Sequence, residues 1–159
     1  MEDEKFYTVR GYQLHEQEKG VLTASLEDYL EMIYRSIMSS GFVRGNELAK
    51  ELNVKPSSVS KMIAKLSSLG YIDYEKYGVI KLTEKGIETG KYLLWRHKSI
   101  ESFFKLVSCD KEIALMETEL VEHILSKNTV RNISDLVEFI NKNDNIRREY
   151  IKYKNCKHD

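Results

Sequence analysis

The side chains of this sequence best able to do chemistry are carboxylates and imidazoles at helical spacing. Glu119-x-x-Glu122-His123 places two carboxylates and an imidazole at i, i+3 and i+4. Those positions project from one helix face and can converge on one cation. Asp110, Glu112 and Glu117 make the neighbourhood acidic, against Lys111. Taken alone, such a pattern is more often a solvated helix face than a metal site. Asp28 and Glu31 repeat the i, i+3 spacing upstream; there Asp28 also fits a capping box, and Glu31 a solvent-facing charge. His97 lies among Leu94, Ile100 and Phe104, where an imidazole is more often a core residue bonded to a backbone carbonyl than a ligand. A different chemistry is offered by Ser57, Ser58, Ser60, Lys61 and Lys65, with Lys55 and Lys76 nearby. Short hydroxyls and ammonium groups at the start of a helix can reach base edges and phosphates in a DNA major groove.

These groups need elements to hold them. Leu26, Tyr29, Leu30, Ile33 and Ile37 recur at helical period. Ser25-Leu26-Glu27-Asp28 predicts a capping box at the start of that helix, and Gly41 its end. Asn46 is expected to cap a short helix over 47–52 with Leu48, Ala49 and Leu52 inward, followed by an Asn53-Val54-Lys55 turn. Pro56 suits the first position of the next helix, where a missing N–H does no harm. That helix buries Val59, Met62, Ile63 and Leu66 and presents the Ser/Lys face outward. Two helices joined by a three-residue turn, the second polar and basic outside, describe a helix-turn-helix. Alternating runs over 71–74 and 79–82, with a tip over 75–78, predict the β-hairpin of a winged helix. Helices are then expected over 84–107, 111–126 and 132–141. Their apolar residues exceed what three helices can cover, so part of that surface is expected to meet a second copy.

The expected organisation is therefore mostly α: an N-terminal winged helix-turn-helix followed by a C-terminal helical dimerisation domain. The boundaries are an arm over 1–20, the DNA-binding unit over 21–90, the helical unit over 91–143 and a tail over 144–159. Composition agrees with a soluble globular protein: 42% of the 159 residues are hydrophobic and 31% charged. The N-terminus lacks an apolar signal core and no apolar run approaches the roughly 20 residues needed to span a bilayer. A cytoplasmic protein with no membrane partner is expected, with Cys109 and Cys156 as reduced thiols. Net charge is zero, but over 41–83 seven basic residues face four acidic ones, a local excess suited to DNA.

Several stretches resemble the diphtheria toxin repressor family, and most closely its manganese transport regulator branch. They are Ser25-Leu-Glu-Asp-Tyr-Leu-Glu-Met-Ile-Tyr34, Asn53-Val-Lys-Pro-Ser-Ser-Val-Ser-Lys-Met62, Gly70-Tyr-Ile-Asp-Tyr-Glu-Lys-Tyr77 and Glu122-His-Ile-Leu-Ser126. The resemblance runs without evident gaps from about Leu22 to Asp144. It implies a metal-dependent transcriptional repressor that is no enzyme, a homodimer binding double-stranded DNA at a palindromic operator and controlling metal uptake genes. It also implies a ligand set of Asp28, Glu31, His97, Glu119, Glu122 and His123, holding one Mn(II) or a bridged pair, with Fe(II) the competing ion. Iron-responsive relatives carry methionine where this chain has Glu31 and cysteine where it has Glu119, which favours manganese here. The wing departs from the family pattern: Lys76-Tyr77-Gly78-Val79 stands where an arginine is usual. From the residues alone two other classes remain open: a binuclear metallohydrolase, and a winged-helix regulator that senses a small organic molecule.

Overall fold

The computed structural model describes residues 22–74, 78–107 and 110–158. The N-terminal arm, Cys109 and the wing residue Lys76 lie outside them. Two compact units succeed one another, the first ending at Lys91 and the second beginning at Tyr92.

In the first unit, α1 spans Ala24–Ser40. Its N-cap is Thr23, whose hydroxyl accepts from the Leu26 N–H at 3.4 Å. The expected box on Ser25 is thus corrected: the cap lies two residues earlier, and Asp28 lies beyond the reach of a cap. Gly41 ends α1 in the left-handed region at φ 83°, its N–H donating to the Ile37 carbonyl. The short strand β1, Val43–Arg44, follows. Helix α2 is Gly45–Glu51, and its cap is Arg44 rather than Asn46. The Glu47 carboxylate accepts from the Arg44 N–H at 3.0 Å. Asn53 makes the turn at φ 52°, a conformation asparagine tolerates better than most residues. Helix α3, Pro56–Ser68, then begins with its proline in the first turn.

Strands β2 (Ile72–Tyr74) and β3 (Val79–Leu82) form the hairpin. The sheet order is β1-β3-β2, antiparallel throughout. Val43 pairs with Ile80, and Ile72 with Leu82; Val43, Ile72 and Ile80 are buried. They join Leu30, Ile33, Leu48, Val59, Ile63 and Leu66 among the buried apolar residues. Each such side chain contributes about 1.5–3 kcal/mol on burial. A two-residue strand is too short to show alternation in sequence, which is why β1 was not expected.

Helix α4, Glu84–Val107, has the expected limits. Thr83 anchors its start: the hydroxyl accepts from the Gly86 N–H at 3.1 Å and donates to the Gly70 carbonyl at 2.7 Å. Gly90 lies so close to Tyr34 that a Cβ there would sit 2.6 Å from the Tyr34 Cβ. Only glycine allows α1 and α4 this approach.

The second unit contains the rest of α4, then α5 (Lys111–Val121), α6 (Lys127–Lys142) and α7 (Asp144–His158). Asp110 caps α5, its carboxylate accepting from Glu112 N–H at 2.8 Å and Ile113 N–H at 3.0 Å. Ser126 caps α6 by accepting from Thr129 N–H at 3.1 Å. That cap starts α6 five residues before the expected position 132, and Val130 in the added turn is fully buried. Residues 144–159, read as a tail, instead hold α7, which packs on α6. Among the described residues no helix is long and apolar enough to cross a membrane.

Candidate metal centre and DNA-reading surface

In the second unit four of the candidate ligands come together. His97 projects from α4 and is buried. Helix α5 ends at Val121, earlier than the expected 126; Glu122 is its C-cap and His123 lies in the following turn. Glu122 keeps helical dihedrals, φ −59° and ψ −29°, so Glu119 and Glu122 still share a face. The His97 Nδ1 lies 3.2 Å from Glu122 Oε2 and 3.8 Å from Glu119 Oε1. The His123 Nε2 lies 3.7 Å from Glu122 Oε1. Glu122 is therefore central, with an imidazole beside each of its oxygens.

The Glu122 side chain is 2% exposed and that of Glu119 55%. A buried carboxylate is costly unless paired, and here the nearby groups are two imidazoles. His97 thus faces a carboxylate across the unit, where a core histidine would be expected to face a backbone carbonyl. Two carboxylates and two imidazoles with no sulfur make a hard donor set that fits manganese or ferrous iron. The donors present therefore suit a divalent cation.

Asp28 and Glu31 belong to the first unit, one turn apart on α1. Glu31 is buried, not solvent-facing as a surface charge would be. Its Oε1 accepts from the Arg35 guanidinium, one turn along the helix. The Ser36 hydroxyl, also on α1, donates to Glu51 Oε2 at 2.6 Å. This bond ties the helix carrying Asp28 and Glu31 to α2 of the helix-turn-helix. Sequence reasoning missed this link and the buried Arg96, whose Nη2 lies 3.2 Å from the His123 Nδ1. The Glu31–Arg35 pair had a visible signal in its i, i+4 spacing; Arg96 had none.

The DNA-reading candidates Lys55, Ser57, Ser58, Ser60, Lys61 and Lys65 are all exposed. They occupy α3 and the turn before it, while Val59, Ile63 and Leu66 of the same helix are buried. The Ser60 hydroxyl donates to the Pro56 carbonyl at 3.1 Å, which leaves its oxygen as an acceptor.

Comparison with known proteins gives three concordant results. Residues 11–80 match the model of the iron dependent repressor, N-terminal DNA binding domain, and residues 83–149 that of its metal binding and dimerisation domain. The chain is 42% identical over 124 residues to the HTH-type transcriptional regulator MntR of Lysinibacillus sphaericus (strain C3-41), covering 78% of this chain and 89% of the relative. It is 42% identical over 122 residues to MntR of Bacillus subtilis (strain 168), covering 77% and 86%. Among solved structures it is similar to the metal-dependent transcriptional regulator MtsR, with TM-score 0.67 and 27% identity over 74% of this chain and 55% of that one. The manganese regulator SloR gives TM-score 0.65 and 25% identity over 74% and 55%. This chain thus spans about half the length of those two structures.

Proposed function

This chain belongs to the iron-dependent repressor family of metal-dependent transcription regulators, and we propose that within it the activating ion is Mn(II) and the target a palindromic operator upstream of metal uptake genes. As a member of that family it is a metal-dependent repressor, with a DNA-binding domain followed by a metal-binding and dimerisation domain, and not an enzyme. The observation that carries the manganese reading is the sulfur-free set around Glu122: His97 at 3.2 Å, His123 at 3.7 Å, and Glu119 at 3.8 Å from His97. The two MntR relatives at 42% identity support it. Asp28 and Glu31 complete the proposed ligand set, and six ligands suffice for a pair of ions. A cytoplasmic location follows from the role.

Asp28, Glu31, His97, Glu119, Glu122 and His123 would hold the cation, whose charge would neutralise the carboxylates and constrain the elements that carry them. The chain's own residues then pass that constraint on. Ser36 and Glu51 hold α1 to α2, and Gly90 lets Tyr34 of α1 pack against α4. The helix-turn-helix is thereby attached rigidly to the helix bearing Asp28 and Glu31. In a homodimer this sets the separation of two α3 helices, and a preset separation spares the entropy cost of ordering them on two half-sites. Lys55, Lys61 and Lys65 meet phosphates, and Ser57, Ser58 and Ser60 approach base edges; Lys76 is the further DNA contact proposed from the sequence.

The pairing surface we assign is the exposed apolar stripe Ile113, Met116 and Leu120 on α5, continued by Ile124. The first two steps along it, i to i+3 to i+7, keep to one helix face.

The test is operator binding by fluorescence anisotropy, first with chelator and then with manganese. Coupling of about 1–3 kcal/mol, the usual allosteric range, corresponds to roughly 5–150-fold tighter binding with metal. Equal affinity in both conditions would sink the mechanism. Ferrous iron at matched site occupancy, under anaerobic conditions, decides the ion: an equal response would remove the manganese assignment.

A further inference from the structure

Arg96 stands next to His97 on α4 and is only 3% exposed. Its Nη2 lies 3.2 Å from the His123 Nδ1. A guanidinium has donors only and keeps its charge in proteins, so the imidazole nitrogen must be the acceptor. A neutral imidazole has a single N–H, which places that proton on Nε2, the nitrogen 3.7 Å from Glu122 Oε1. Both ring nitrogens are then engaged: the Nδ1 lone pair by Arg96, and Nε2 by its proton.

Coordination of a cation by His123 requires one of those lone pairs. If Nδ1 coordinates, the guanidinium must leave it. If Nε2 coordinates, its proton moves to Nδ1, and an N–H then faces the Arg96 N–H. In either arrangement the imidazole keeps its one proton, no proton is lost, and the Arg96–His123 hydrogen bond breaks. We propose that Arg96 is an internal cation that occupies His123 in the metal-free protein, so that metal must displace it in order to load. Arg96 is thus a positioning residue that sets the metal concentration at which His123 is recruited. The competition is relieved by movement of the Arg96 side chain away from His123. The inference rests on the reading of His123 as a ligand.

The first test needs no variant. Long-range 1H–15N correlation spectra of the metal-free protein should show His123 with a protonated Nε2 and a bare Nδ1. A protonated Nδ1, whether in the other tautomer or in an imidazolium, overturns the proposal. The second test measures Mn(II) binding by calorimetry to the full chain. A charge-assisted hydrogen bond that no longer has to be broken is worth about tenfold or more in affinity, so Arg96→Met should tighten binding by that factor. In a His123→Ala background the same substitution should change little. Tightening of equal size in both backgrounds would mean simple charge repulsion and overturns the proposal, as does weaker binding by Arg96→Met alone. If His123→Ala binds manganese as the unaltered protein does, the ligand assignment itself fails, whereas the spectra still report independently on the Arg96 contact. Circular dichroism checks that each variant is folded.

Discussion

Thirteen of the buried apolar residues precede Lys91 and five follow Tyr92, while six of the exposed large apolar residues lie in the first unit and twelve in the second, all among the described residues. The first unit can close its core with α1, α2, α3 and a three-stranded sheet, because each of those elements has neighbours on its apolar face. The second has four helical segments and leaves Ile113, Met116, Leu120 and Ile124 uncovered. An apolar surface of that kind is what a pairing interface requires. The difference teaches that the DNA-reading unit is folded for itself, whereas the metal-binding unit is completed by a second copy. The same unit also keeps a buried carboxylate, Glu122, which a self-sufficient core would exclude.

The strongest test of that contrast lies in the first core. Leu30 is 0% exposed, so Leu30→Ala should cost about 2–5 kcal/mol in unfolding free energy. Chemical denaturation should show this loss undiminished at low protein concentration. A loss that vanishes on dilution would mean that the first unit depends on the dimer.

Glu122→Gln sharpens the other side of the comparison. It removes a buried charge without emptying any apolar space, so the variant should remain folded and dimeric. The metal-dependent gain in operator affinity, roughly 5–150-fold, should disappear. A manganese response equal to that of the unaltered protein would show that Glu122 is no ligand.

Leu120→Asp places a charge in the proposed pairing stripe, where Leu120 is 68% exposed in the single chain. Dimer dissociation measured by sedimentation should weaken by about tenfold or more, the range of an interface hot spot. Met38→Asp, at a position 57% exposed in the first unit, should leave sedimentation unchanged. Equal effects of the two substitutions would erase the distinction drawn between the units.

The smallest expected effect is on the exposed face of α3. Lys65→Ala should weaken binding across all DNA sequences and lower the salt-dependence slope by about 1, as loss of one phosphate contact does. An unchanged slope would take Lys65 out of the interface.

Local pattern made much of the first unit legible in sequence. The period of Leu26, Tyr29, Leu30 and Ile33, the proline that opens α3, and the alternation of the hairpin each report one element's inward face. The full span of α4 was legible for the same reason. Errors arose where competing local signals were close together. Thr23 and Ser25 are both competent caps, and it is the Thr23 hydroxyl that accepts from the Leu26 N–H. Ser126 begins α6 through a polar stretch whose apolar period is weak until Ile133. Helix α7 is rich in charge and has few apolar residues to mark its face.

The candidate ligands divide along the same line. By itself the sequence determined which residues have metal-binding chemistry, and family likeness selected six of them, because residue type and spacing along one helix are local properties. It could not determine that Glu31 and Glu122 are buried, that α5 stops at Val121, or that His97 and His123 approach the two oxygens of Glu122. Nor could it place a buried guanidinium on the His123 Nδ1. The His97–Glu122 and Arg96–His123 contacts depend on what a second element brings to the first, across 25 and 27 positions of chain, and periodicity along one helix carries no information about its neighbours. The tertiary structure decided them because the burial of a charge, and the partner that compensates it, exist only once the helices have packed.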